Sequence, residues 1–153
     1  MTSWLIGHST IWRAAVEGAA VNDWLGMYSY SDWNVRFGRN FGGSPYTSAE
    51  RMKAYLEQSP ISYTGKIRTP TLILGDVGDT DVPITQSYSF YRALKDSQVE
   101  TEFIATPISD HSPSDPVRRE ETMANWIHWL RRYLPTTPGS EAPQPLPILE
   151  HPE

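Results

Sequence analysis

A length of 153 residues fits one domain, and a net charge of −5 with Lys and Arg dense only at Arg118, Arg119, Arg131 and Arg132 argues against a nucleic-acid binder. Six Trp, eight Tyr and four Phe exclude a chain that stays solvated along its whole length. The lack of cysteine excludes disulfides, thiolate metal sites and a Cys nucleophile, and it leaves the compartment open.

The opening M-T-S-W-L-I-G-H has no basic region and too short an apolar stretch for a signal peptide. No run approaches the roughly 18 apolar residues of a membrane span. Residues 2–9 read as a short helix, with Trp4, Leu5 and His8 on one face. A chain that opens in packed apolar structure reads as a segment of a longer domain. Residues 14–21, A-A-V-E-G-A-A-V, read as a strand buried on both faces, its small side chains letting helices pack close. Asn22–Asp23 then signals a turn.

Residues 24–57 form an aromatic-rich excursion, with a loop at F-G-G-S-P and a short helix over 48–57. Its aromatics suit either a specificity pocket for an apolar side chain or ordinary packing. T-L-I-L at 71–74 is a continuous apolar run, as in a central parallel strand covered on both faces. Residues 84–95 read as a helix with Tyr88, Tyr91 and Leu94 or Lys95 on one face. Residues 99–105 alternate, with Val99, Thr101, Phe103 and Ala105 pointing one way, and predict a strand.

The last helix opens at Asp115–Pro116, a good cap followed by the residue best tolerated at the first helical position. Glu120 and Glu121 near its start and Arg131 and Arg132 near its end match the helix dipole. Met123, Trp126, Ile127, Leu130 and Tyr133 supply its apolar stripe, and the pair Trp126 and Trp129 is expected on its buried face. The Pro-rich residues 135–153 are expected to be extended or disordered. Strands alternating with helices predict an α/β fold with three parallel strands and flanking helices.

Chemistry enters at two loops. Asp79 follows the strand at 71–74, and His111 follows the strand-like run at 100–106. An acid and then a histidine after successive strands is the back half of an α/β-hydrolase triad, whose chain order is Ser, Asp or Glu, His. The G-x-S-x-G turn that carries the serine occurs nowhere in the sequence, and Ser3 and Ser9 do not sit in such an elbow. On spacing alone His111 reads equally as an exposed loop histidine, and Asp76 and Asp81 compete with Asp79 for the role of acid. The trio Asp76, Asp79 and Asp81 also suggests a calcium loop, although the D-x-D-x-D-G order is missing. His8, His128 and His151 read as packing, surface and tail residues, and no metal or cofactor is expected.

Several stretches together resemble the C-terminal half of the catalytic domain of the prolyl oligopeptidase family of serine peptidases, family S9. They are W-R-A-A-V-E-G-A-A-V-N-D-W at 12–24, F-G-G-S-P and S-P-I-S-Y in the excursion, R-T-P-T-L-I-L through D-T-D-V-P-I-T-Q-S-Y-S-F-Y-R-A-L at 68–94, and H-S-P-S-D-P-V-R-R-E at 111–120. The resemblance is nearest to the acylaminoacyl-peptidase and dipeptidyl-peptidase-like members. It covers residues 1–134, which it implies are the C-terminal part of an α/β-hydrolase catalytic domain. It implies Asp79 as triad acid, favoured by the Val82–Pro83 that follows, and His111 as triad base. It implies hydrolysis of peptide bonds in short peptides, or of esters, through an acyl-enzyme. Gly75–Asp76 stands where the family often has a His-Gly pair. The family's nucleophile elbow comes directly before the segment resembling M-T-S-W, so the chain is expected to be inactive alone. The competing expectation is a non-catalytic fragment or interaction protein that self-associates, or docks, through the open edge of the strand at 14–21.

Overall fold

The computed structural model describes residues 1–111 and 114–134. The elements follow the expected order. Helix α1 (Thr2–His8) precedes strand β1 (Ala15–Gly18), and α2 (Trp24–Tyr30), α3 (Asn34–Asn40) and α4 (Ala49–Gln58) make up the excursion. Strand β2 (Thr71–Asp76), helix α5 (Thr85–Asp96), strand β3 (Thr101–Thr106) and helix α6 (Pro116–Tyr133) complete the chain's described part. The tail expected at 135–153 lies outside the described residues.

The three strands are parallel and ordered β1-β2-β3. β2 is central because its apolar residues can be buried on both faces. Ile73 packs with Ile6 of α1 and with Phe90 and Leu94 of α5. Leu72 and Leu74 point the other way, onto Trp129 of α6. The alternation of a strand thus divides three consecutive apolar residues between two helical layers. In β3 the same period sends Phe103 to the α5 side and Ile104 to the α6 side.

Three expectations are corrected. The buried face of α5 is Gln86, Ser87, Phe90 and Leu94, while Tyr88 is exposed. The small residues Gly75 and Ser87 set this rotation, since a Cβ at Gly75 would lie 2.7 Å from Ser87 Oγ. In α6 only Trp129 is fully buried, with Leu130 and Tyr133 packed beside it. Met123, Trp126 and Ile127 of the expected stripe are exposed. Strand β1 is also shorter than residues 14–21, because Ala19, whose N–H still donates to Leu74 O at 3.2 Å, turns to φ 44° and ends the ladder.

The excursion packs mostly on itself. Tyr55 is fully buried, stacks on Phe41 at 4.1 Å between ring centroids, and donates its hydroxyl to Gly43 O at 2.9 Å. Trp24 meets Phe37 and Phe41 at 5.4 and 5.3 Å. Gly42 and Gly43 take φ of 74° and 124°, the left-handed region that L-residues avoid, and turn the chain from α3 to α4. Ser48 caps α4 by accepting from Arg51 N.

Candidate active site

Parallel strands end at one edge of the sheet, so the loops after β2 and β3 emerge side by side. The register pairs Asp76 with Thr106 at the last step of the ladder, and Thr106 Oγ1 donates to Asp76 Oδ1. Beyond the strands the two loops stay bonded: Val77 N donates to Thr106 O at 2.9 Å and Gly78 N to Ile108 O at 2.8 Å. The approach at Gly78 is too close for a side chain, since a Cβ there would stand 2.7 Å from Ser109 Cα.

This contact delivers Asp79 to His111. Asp79 Oδ2 and His111 Nδ1 are 2.8 Å apart. The other carboxylate oxygen, Oδ1, accepts from the backbone N–H groups of Asp81 and Val82, both at 2.9 Å. The Asp79 side chain is 1% exposed and that of His111 is 41% exposed. Three donors point at Asp79, so Nδ1 carries the ring proton in this pairing, and the Nε2 lone pair is directed away from the acid. The arrangement can hold an imidazole in one tautomer and stabilise the imidazolium formed when Nε2 takes a proton.

The other two acids of the loop have different partners. Asp76 bonds to Thr106, and Asp81 Oδ1 accepts from Trp33 Nε1 at 2.6 Å. Among the described residues no three His, Asp or Glu side chains converge as metal ligands. His8 stacks on Trp4 at 4.0 Å and touches Tyr63, His128 is exposed, and His151 lies outside the described residues. Ser3 is buried and bonded to Glu17 of β1.

Sequence reasoning missed the clamp on the acid loop. The end of α2 grips the loop from outside: Ser31 Oγ donates to Asp81 O at 2.6 Å, Asp32 N to Thr80 O at 3.1 Å, and Trp33 Nε1 to the Asp81 carboxylate. Nothing in S-Y-S-D-W marks those residues, because their partners lie about 50 positions downstream. Gly78 carries no mark in the sequence either, because its role depends on the second loop.

Comparison with known proteins follows the same line. The profile of the prolyl oligopeptidase family matches residues 1–137. The acylamino-acid-releasing enzyme of Arabidopsis thaliana is 31% identical over 113 residues, 74% of this chain and 14% of that protein. The human enzyme of the same name is 31% identical over 111 residues, 72% of this chain and 15% of that protein. Among solved structures, the acylaminoacyl peptidase of Pyrococcus horikoshii superposes with a TM-score of 0.79 at 23% identity, covering 93% of this chain and 23% of that one. A puromycin-hydrolyzing peptidase of Mycobacterium tuberculosis gives 0.75 at 20% identity over 94% of this chain and 22% of that one. The three parallel strands and flanking helices are those of α/β-hydrolase peptidases, and the chain spans less than a quarter of the length of each of these four proteins. With the profile running from residue 1 to 137, the chain belongs to the prolyl oligopeptidase family.

Proposed function

We propose that this chain carries the acid and the base of a serine-type peptidase triad, with Asp79 as the acid and His111 as the base. The observation that carries the reading is the 2.8 Å contact between a buried carboxylate and the Nδ1 of a part-exposed imidazole. His111 Nε2 takes the proton of a serine hydroxyl as that hydroxyl attacks a carbonyl, and then hands it to the leaving group. Asp79 holds the tautomer and stabilises the imidazolium. The sequence has no G-x-S-x-G turn, so the serine comes from outside these 153 residues. The names of the relatives point to substrates from which an acylated amino acid is released, and the family resemblance adds short peptides as the substrate class.

The 153 residues alone are expected to turn over neither an activated ester nor a peptide amide. In a subtilisin-type triad, loss of the serine costs on the order of 10⁶ in kcat. Hydrolysis that disappears in His111→Ala would reveal an overlooked nucleophile and overturn that expectation. The wider reading is tested by the coding sequence upstream of Met1. An in-frame G-x-S-x-G elbow supports a working triad, whereas an in-frame stop leaves Asp79 and His111 inherited but unused.

A second reading is association through the edge of β1. Among the described residues β1 pairs only with β2, and its free side adjoins an apolar groove lined by Leu5, Ile6, Trp12, Ala14, Val16 and Leu130. An unpaired strand beside apolar side chains favours a complementary strand from another polypeptide. Sedimentation velocity tests it: a monodisperse monomer at all concentrations counts against docking between copies.

A further inference from the structure

A buried polar chain runs from α1 to the helix behind the acid loop, and the Asp79–His111 pair does not use it. Its centre is Glu17 of β1, 3% exposed on the face of the sheet that α1 covers. Oε2 of Glu17 accepts from Ser3 Oγ, in the first turn of α1. Oε1 accepts from Asn22 Nδ2 at 3.0 Å. The backbone N–H groups of Asn22 and Asp23 both donate to Gln86 Oε1, at 2.9 and 2.7 Å, and Gln86 Nε2 donates to Asp23 O at 2.9 Å. Gln86 stands in the first turn of α5, immediately after the acid loop, and its own N–H donates to Pro83 O at 2.9 Å. Gly26 makes room for it, since a Cβ there would lie 2.8 Å from Gln86 Nε2. Ser3, Asn22 and Gln86 are all buried.

An apolar residue would satisfy the packing of β1, so a buried carboxylate there calls for a reason. Two features supply one. Among the described residues, Asn22 Oδ1 is buried and has no hydrogen-bond partner. Burial also pushes the Glu17 carboxyl up to about 7, against the Ser3 and Asn22 hydrogen bonds and the amino group of Met1, which pull it down. As a carboxylate, Glu17 accepts from both neighbours. As an acid it has one proton to donate, and Asn22 Oδ1 receives it when the amide turns over.

We propose that Glu17 is a protonation-dependent latch, which ties α1 to the turn after β1 and, through Asn22 and Gln86, to the base of the acid loop. It is a positioning residue, and its bearing on catalysis rests on the peptidase reading above. The charged groups around it are few, and the Asp23 carboxylate, next to Asn22, accepts from Leu25 N at 2.9 Å. The amino group of Met1 acts from α1, while His8 at the far end of that helix is exposed. Arg92, Lys95 and Asp96 of α5 are exposed, and α6 packs on the opposite face through Trp129, Leu130 and Tyr133. Proton exchange at Glu17 therefore changes hydrogen bonding within the chain from Ser3 to Gln86, with few other charges nearby.

The test is an NMR titration of the whole 153-residue chain from about pH 4 to about pH 9, following the Glu17 carboxyl carbon, the Asn22 side-chain amide and the Gln86 amide. The expected result is one shared midpoint close to 7, absent from the two amides in Glu17→Gln. Three results overturn the latch: a Glu17 midpoint below about 5, near the ordinary glutamate value; amides that ignore the Glu17 titration; or the same amide titration persisting in Glu17→Gln. Should Glu17→Gln fail to fold, Ser3→Ala serves instead. Removing that donor raises the midpoint, and an unchanged midpoint removes Ser3 from the latch. Asp79→Asn separates the two proposals. It places an amide donor where His111 Nδ1 met a carboxylate and so forces the other tautomer, and it is expected to leave the Glu17 midpoint in place, so either can fall without the other.

Discussion

At the scale of single residues, two buried carboxylates sit in opposite circumstances. Asp79 is surrounded by donors: two backbone N–H groups and an imidazole N–H. Glu17 has two neutral donors and little else to offset its removal from water. The difference makes stability depend on pH through Glu17. Its folded value of about 7 lies above the ordinary 4.5. Below 4.5 the folded and unfolded chains both hold the proton. Between 4.5 and 7 the unfolded chain releases it while the folded chain keeps it, so stability falls as pH rises and levels off above 7. The loss from this group alone is about 3 kcal/mol. Urea denaturation at a series of pH values should show wild type losing that much more than Glu17→Gln across the window; equal slopes for the two proteins would remove Glu17 as the cause. The sequence carried a hint, since Glu17 is the one charge in A-A-V-E-G-A-A-V, but its partners at 3, 22 and 86 are set by the fold.

At the scale of elements, the meeting of the two loops rests on Gly78. Gly78→Ala places a methyl group against the backbone of Ser109, which cannot rotate away as a side chain can. A destabilisation of about 1–3 kcal/mol is expected, with loss of the downfield imidazole N–H resonance of the Asp79–His111 pair. Unchanged melting with that resonance intact would show the loops to be more yielding than their packing suggests. Helix α6 offers a second comparison. Trp129 is 1% exposed and Trp126 is 43% exposed, although the two are three residues apart. Trp129→Ala should cost about 3–5 kcal/mol in chemical denaturation, and Trp126→Ala no more than about 0.5 kcal/mol. Similar losses for both would mean that the exposed stripe is covered in solution. Helical periodicity identified α6 correctly as amphipathic. It could not choose which tryptophan faces the sheet, because that depends on how the helix is turned against Leu72 and Leu74.

At the scale of the whole molecule, order and topology were legible while side-chain facing was less so. Alternation of strands and helices fixed a parallel sheet, since crossover handedness leaves few other arrangements. The acid and histidine loops followed from that, because parallel strands end at one edge. What escaped reading were contacts between distant segments, such as the grip of Ser31 and Trp33 on the acid loop. The open β1 edge belongs to this scale too. Trp12 is part-exposed beside the groove. If copies dock there, Trp12→Glu should return a concentration-dependent sedimentation coefficient to that of a monomer. Added salt should leave the wild-type behaviour nearly unchanged, because the lining is apolar. Dissociation by salt would instead point to surface charge.

The indole of Trp33 donates its N–H to Asp81, two residues from the acid that meets His111. A fluorophore is thereby wired to the acid loop. Whatever displaces the acid loop alters that hydrogen bond, and with it the colour and yield of the emitted light. The difference spectrum between wild type and Trp33→Phe isolates this one ring from the other five tryptophans. The chain thus carries its own optical gauge of the loop, readable without a substrate, a label or a second subunit.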